Sequence, residues 1–282
     1  MKKKTIIIIL IIFGLLCLCC FYLYFGNIAL QISNYDILDT RIPTEFNNFK
    51  IIQISDFHNT KSKILTKNLI NEIKKQRPNI IVLTGDLIDL NRLNVDIAIN
   101  FIQSINDIAP IYFISGNHEA SINNYSKLKE LLIKNKVIIL DNKTEILKLN
   151  NSQINLIGID DPQMAHKPYS LDSEIIKVQL NNLNYDASNY SILLSHRPEV
   201  FNTYVDNKID LVLVGHAHGG QIRIPFVGGL IAPNQGIFPK YTSGKFVEDK
   251  TTMIVSRGIG NSILPFRINN IPELVLIKLK NK

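Results

Sequence analysis

An α/β fold preceded by one membrane-spanning helix is predicted by three features of this 282-residue chain. Between residues 50 and 214, short β-branched apolar runs alternate with stretches whose apolar residues recur at helical spacing. Five of those runs end in a polar side chain able to bind metal, just past the carboxyl end of the expected strand, where open α/β sheets place their sites. Residues 5–25 carry no charge and, as a helix, are long enough to cross a hydrocarbon core about 30 Å thick. The remaining chain, about 255 residues, suits one large domain better than two small ones. The expected division is an anchor over 1–26 and a catalytic domain over 27–282.

The anchor is justified first. Lys2, Lys3 and Lys4 precede the apolar run, and Phe21, Tyr22, Tyr24 and Phe25 close it as an interfacial aromatic belt. A cleaved signal peptide would have a shorter apolar region ending in small residues, so an uncleaved anchor is favoured. Leu15-Leu16-Cys17 is also a poor lipoprotein cleavage site. The positive-inside rule places the lysines in the cytoplasm and the chain after Phe25 outside: a single-pass protein of the cell membrane, with its catalytic part extracytoplasmic. Cys17, Cys19 and Cys20 are the chain's three cysteines and all lie in this segment, leaving no disulfide, thiolate site or cysteine nucleophile beyond it.

The expected elements follow in order. Strands over 28–32 and 35–38 turn at Pro43, and 51–55 forms the next strand. Helices are expected over 62–76, 93–106, 124–134 and 171–183, the first with apolar Ile64, Leu65, Leu69, Ile70 and Ile73 and with Pro78 just beyond its end. Strands are expected at 80–84, 111–115, 191–195 and 211–214. Residues 137–140, 145–149 and 154–159 read as consecutive strands of an antiparallel part joined by Asn-rich turns. Residues 160–168 form a loop whose His166 reads as a surface residue.

The strand ends carry the chemistry. IIQIS at 51–55 runs into Asp56-Phe57-His58, and IIVLT at 80–84 into Gly85-Asp86. IYFIS at 111–115 runs into Gly116-Asn117-His118-Glu119, SILLS at 191–195 into His196, and LVLV at 211–214 into Gly215-His216-Ala217-His218. A single Asp-x-His is a weak signal, but five of the six histidines occupy such positions, which a scatter of surface residues would not produce. Asp56, His58, Asp86, Asn117, His196, His216 and His218 are too many ligands for one four-coordinate ion and about right for two, with Asp86 in a bridging place. Imidazole with carboxylate suits Mn, Fe or Zn rather than Ca. Two such ions can lower the pKa of a shared water and clamp an in-line phosphoryl displacement. No Cys, Ser-His-Asp arrangement or Gly-rich phosphate loop competes, so hydrolysis of a phosphate ester or anhydride fits. The net charge of +7 is partly terminal lysine, and the rest is spread without basic runs, so the pattern does not indicate nucleic-acid binding.

These five ordered blocks resemble those of the calcineurin-like metallophosphoesterases, from about Lys50 to the C-terminus. The resemblance implies a four-layer α-β-β-α sandwich with two central mixed β-sheets. It implies one ion on Asp56, His58, Asp86 and His218, and another on Asp86, Asn117, His196 and His216. His118 would then stand beside the leaving-group oxygen as general acid or electrostatic stabiliser. Asp89 holds the place of a carboxylate that orients that histidine, with a helix or turn cap as the alternative. The motifs after His218, including Ser256–Ser262 and Pro265-Phe266-Arg267, resemble a bacterial membrane-anchored subgroup of phosphodiesterases and UDP-2,3-diacylglucosamine pyrophosphatase-type enzymes. Arg197, Arg223 and Arg257 are candidates for binding substrate phosphate, the alternative being salt bridges.

Leu90-Asn91 after Asp89 departs from the Arg-Gly of phosphoprotein phosphatases. Complete ligand blocks disfavour a non-catalytic metal-binding scaffold, and a phosphomonoesterase remains the other enzymatic reading. The implied partners are the membrane and a small-molecule or lipid-linked phosphate ester. Residues 224–238 are unusually apolar for a connection. Packing onto the domain's own core is the commoner fate of such residues, and an exposed patch touching lipid is the alternative.

Overall fold

The structure is a computed structural model that describes residues 3–261 and 264–282. Met1 and Lys2 of the basic cap, and Ser262 of the 256–262 motif, lie outside the described residues. Helix α1 (Lys3–Ile28) is apolar around its whole circumference, buries no residue against the protein, and reaches a mean hydropathy of 3.2. It is long and apolar enough to cross a membrane. It also runs through the expected 26/27 boundary, and the Asn27 side chain donates back to Leu23 O within its last turns.

The sixteen described strands are β1 (Gln31–Asp39), β2 (Lys50–Ile54), β3 (Ile80–Thr84), β4 (Ile111–Ile114), β5 (Val137–Ile139), β6 (Lys143–Leu149), β7 (Ser152–Gly158), β8 (Ser191–Leu194), β9 (Leu211–Val214), β10 (Arg223–Ile224), β11 (Gly228–Gly229), β12 (Ile231–Ala232), β13 (Gly236–Ile237), β14 (Gly244–Glu248), β15 (Thr251–Val255) and β16 (Glu273–Asn281). After α1 come α2 (Lys63–Gln76), α3 (Val95–Ile105), α4 (Asn117–Ala120), α5 (Tyr125–Lys134), α6 (Asp172–Asn182) and α7 (Phe201–Asp206). One six-stranded mixed sheet has the order β1-β16-β2-β3-β4-β5, the other β14-β15-β9-β8-β7-β6.

Strand alternation builds the layers. In β2, Ile52 and Ile54 face α2, α3 and α5, whereas Ile51 faces the other sheet. In β9, Leu211 and Leu213 face inward between the sheets, whereas Val212 and Val214 pack with Ile176 and Leu180 of α6 and Phe201 and Tyr204 of α7. Period two therefore gives helices, sheet, sheet, helices, which is the expected four-layer sandwich. The expected helices form within two residues of their expected ends. Ser62 Oγ caps α2 by accepting from Leu65 N, and Asn94 caps α3 by accepting from Ile97 N.

Two expectations fail. The two opening strands are one, β1, and it begins after α1 has ended. Its polar Ser33-Asn34 centre does not break it, because the parallel register with β16 runs unbroken from Gln31↔Glu273 to Asp39↔Asn281 at a sheet edge. The 137–140 run does not join the following antiparallel hairpin. β5 pairs parallel with β4, burying Val137 and Ile139 beside Leu128 and Leu132 of α5, and only β6 and β7 form the hairpin. An apolar run of this length shows that it is a strand but not which strand it pairs with.

The ends of the two sheets are stitched where the ligand blocks emerge. Gln53, fully buried between the sheets, donates to Thr84 Oγ1 of one and to Val214 O of the other. Gly215 N donates to His196 O, and Ile259 N to Ser55 O.

Candidate metal centre

Five of the seven candidate ligands turn out of their strands through a left-handed backbone step. Asp56, His58, Asp86, His216 and His218 have φ of 52°, 46°, 52°, 66° and 47°. Non-glycine residues in this region carry strain of roughly 1–3 kcal/mol each and cluster at functional sites. The glycines beside them allow close approach. A Cβ on Gly215 would lie 1.8 Å from Ser55 Oγ, and one on Gly85 (φ +90°) would lie 2.6 Å from His196 Nδ1.

The structure brings the predicted ligands into two groups that share one carboxylate: Asp56, His58, Asp86 and His218, and Asp86, His196 and His216. All are buried. In the first group, His58 Nε2 lies 3.1 Å from His218 Nε2 and 3.6 Å from Asp86 Oδ2, and His218 Nε2 lies 3.3 Å from Asp56 Oδ1. In the second, His196 Nε2 is 3.3 Å from Asp86 Oδ2 and 3.2 Å from Asn117 Oδ1. Ligand atoms about 2.0–2.2 Å from a tetrahedral ion stand about 3.4 Å apart, so these separations fit a divalent metal.

Hydrogen bonds outside the groups orient the donors. His196 Nδ1 lies 2.7 Å from Thr84 O and donates to it, which turns Nε2 toward Asn117 Oδ1. Positive charge is favoured between Nε2 and the oxygens around it, whether from a proton or from a metal ion. Burial opposes a charge on His196, yet Asp86 and Asp56 overcome it and raise the imidazole to about 10. Burial likewise raises Asp56 to about 6, and lowers His58 to about 3 despite Asp86. The donor set therefore fits a cation, and a neutral His58 is ready to ligate.

His118 lies at the rim, its Nε2 3.9 Å from Asp86 Oδ2 and its ring edge-on to His58. Leu90 N donates to His118 Nδ1 at 2.9 Å. A neutral His118 must then carry its proton on Nε2, facing the site. Asp89 does not perform this orientation. Its carboxylate caps the turn, accepting from Asn91 N and Arg92 N and pairing with the Arg92 side chain, so the cap alternative describes it. The reason is local: a carboxylate three residues before Arg92 is closer to its own turn than to a histidine on α4.

The three candidate arginines do not converge on the ligand groups. Arg197 is fully buried in a two-pronged ion pair with Asp161, at 2.7 Å on both arms, and its third nitrogen lies 2.9 Å from His216 Nε2. It could hold the ring of His216 but cannot reach a solvent-borne phosphate without breaking that pair. Arg223 donates to Gly219 O and Thr242 Oγ1, and Arg257 to Gln31 Oε1.

Sequence reasoning passed over four residues. Glu119 is buried and accepts from Asp86 N, Gly116 N and Ile88 N, fixing the turn that carries Asp86, while burial and Asp86 push its carboxyl up to about 8. Asp161 and Glu199 surround Arg197, and Arg92 lines a cavity beside His58. Glu119 adjoins the third ligand block, so its place was visible although its partners were not. The partners of Asp161 lie too far away in sequence to show.

The geometry can be set beside known proteins. The sequence model of the calcineurin-like phosphoesterase family matches residues 49–220. The metallophosphoesterase YkuE of Bacillus subtilis is 30% identical over 261 residues, spanning 89% of this chain and 86% of that protein. The phosphodiesterase YaeI of Escherichia coli is 27% identical over 242 residues, covering 82% of each. Among solved structures, the Thermus thermophilus sulfate thiohydrolase SoxB aligns with a TM-score of 0.50 at 13% identity, covering 84% of this chain and 57% of that one.

Proposed function

Because the chain belongs to the calcineurin-like phosphoesterase family, and is thus a metal-dependent phosphoester hydrolase, we propose that it cleaves a phosphodiester or pyrophosphate bond at a two-ion centre. The carrying observation is the pair of buried ligand groups joined at Asp86. One ion would take Asp56, His58, Asp86 and His218, and the other Asp86, Asn117, His196 and His216. Bound there, two ions of Mn, Fe or Zn would supply Lewis acidity to the phosphoryl oxygens and lower the pKa of a shared water. The protein's own part is to hold these donors rigid through Thr84 O and Glu119, and to present His118 Nε2–H to the departing oxygen.

A singly charged diester suits the site better than a doubly charged monoester, since Arg197, Arg223 and Arg257 are engaged elsewhere. The name of the Escherichia coli relative, a phosphodiesterase, points the same way. Helix α1 supports an anchored protein with its catalytic part, residues 27–282, outside the cytoplasm, acting on a membrane-proximal or lipid-linked ester.

The test uses the full chain, stripped of metal and reloaded with Mn, Fe or Zn, against bis-nitrophenyl phosphate, nitrophenyl phosphate and a pyrophosphate diester. Turnover should require metal and favour the diester or the pyrophosphate. Asp86→Asn should lose both ions together by metal analysis. Preference for the monoester would refute the substrate assignment, and one ion fully retained in Asp86→Asn would refute the bridge.

A further inference from the structure

Ala232 of the apolar connection after the last ligand block packs onto the core, but its largest side chains do not. Phe226 is fully exposed, and Val227, Ile237 and Phe238 are each more than half exposed. Phe226 and Val227 form the turn of hairpin β10–β11, closed at its base by Leu230 N to Ile222 O, and Ile237 and Phe238 end hairpin β12–β13, closed by Phe238 N to Leu230 O, so Leu230 joins the two. Phe226 and Phe238 adopt φ of 66° and 55°. Bulky residues rarely accept that region, so the backbone at both residues is strained, as is common at functional sites. Single exposed apolar residues need no explanation, but a cluster on tied hairpins does.

The hairpins are also fixed to α1. Tyr22 Oη donates to Asn269 Oδ1 at 2.7 Å and accepts from Asn269 N at 2.9 Å, while Asn269 Nδ2 donates to Arg223 O at 3.1 Å. Tyr22 lies within the uncharged run 5–25, six residues before the end of α1 and therefore about 9 Å below it. The β10–β11 hairpin is thus held beside the last membrane-level turns of the helix. Residues 222–238 contain one charged side chain, Arg223, and no acidic one, a composition that a lipid headgroup layer accepts.

We propose that the β10–β11 tip at Phe226 and Val227 is a second membrane contact, dipping into the lipid interface beside α1 and turning the metal centre toward the headgroups. A cavity of about 680 Å³ lies between α1 and the metal centre, bounded by Tyr24, Asn27 and Ile28 of α1 on one side and by His58 and Arg92 on the other. A phosphate ester carried by a lipid would reach the ligands along the bilayer surface, without leaving it. This inference rests on the anchored reading of α1, and its test separates the two.

The chain has no tryptophan, so one can be introduced as a sole reporter. Full-length Phe226→Trp, Leu18→Trp and Val247→Trp proteins are reconstituted in phosphatidylcholine vesicles with or without brominated acyl chains. Leu18→Trp reports on α1, and Val247→Trp on an exposed position of β14 away from the hairpins. Phe226→Trp should emit blue-shifted and lose at least about half its fluorescence to brominated lipid, as expected of a side chain buried about 5–10 Å into the interface. Val247→Trp should be unaffected. If Leu18→Trp is quenched and Phe226→Trp is not, the second contact is refuted while the anchor stands. If neither is quenched, the anchored reading falls and the contact with it. A blue shift that depends on protein concentration and resists brominated lipid would mean that the tip meets a second copy of the chain, which also refutes the proposal. Phe226→Ser with Val227→Ser should then hydrolyse soluble bis-nitrophenyl phosphate normally yet lose activity on ester presented in vesicles; equal loss of both would overturn the proposed role.

Discussion

In His118 one backbone donor decides which ring nitrogen is left to serve the proposed acid role. Leu90 N–H occupies Nδ1, so the proton sits on Nε2, on the side that faces Asp86. His118→Gln should therefore keep both ions by metal analysis while lowering turnover by about 10²–10⁴, the range of a lost general acid. Loss of metal would instead make His118 a ligand. Glu199 offers a second test. A His216 ring bound to an ion through Nδ1 must carry a proton on Nε2, which lies 2.9 Å from an Arg197 nitrogen that can only donate. Arginine has no acceptor for that proton, whereas Glu199 Oε1 lies 4.0 Å away and Glu199 Oε2 is buried without a partner. Glu199→Ala should weaken binding of that ion by about 10–100-fold, as loss of a group supporting a metal-bound histidine commonly does. Glu199→Gln, which keeps an acceptor oxygen, should fall between. Unchanged affinity in the alanine variant, measured by competition with a chelating dye, would rule out the support.

At the scale of elements, the site depends on strand ends meeting at close range. The turn after β3 carries Asp86, and its Gly85 lies under the ring of His196, which arrives on the end of β8 from the other sheet. Gly85→Ala would force an alanine into a left-handed conformation, costing about 1–2 kcal/mol, and would push its methyl against His196 and Gly116. The variant should unfold at lower urea concentration and lose the His196 ion before the other. A normal midpoint with both ions retained would show that the two sheets can separate without harm. Ligand positions were legible here because each strand and its terminal ligand are neighbours in sequence. Which sheet each strand joined was not, as β5 demonstrates.

For the whole molecule, α1 and the catalytic layers meet through specific hydrogen bonds. Asn261 Nδ2 donates to Asn27 Oδ1, and Tyr22 is held by Asn269. The helix is therefore seated against the loop that follows β15, not joined by a loose tether. If the lysines at its start face the cytoplasm, alkaline phosphatase fused after Lys282 should be active and a cytoplasmically maturing fluorescent protein at the same place dark. The reverse pattern would place the catalytic layers inside.

Sequence by itself determined the kind and order of the ligands, the alternation that makes two sheets with helices outside, and the apolar span. Each of these is written in residues a few positions apart, where strand and helix periods act directly. Tertiary structure alone decided what distant side chains do to one another. It buried Arg197 against Asp161, turned Asp89 into a cap, gave the task of orienting His118 to a backbone amide, and left Phe226 and Phe238 facing outward. Hydrophobicity alone favours burying that segment, but its short hairpins pair with themselves rather than with either six-stranded sheet, and their large side chains stay exposed.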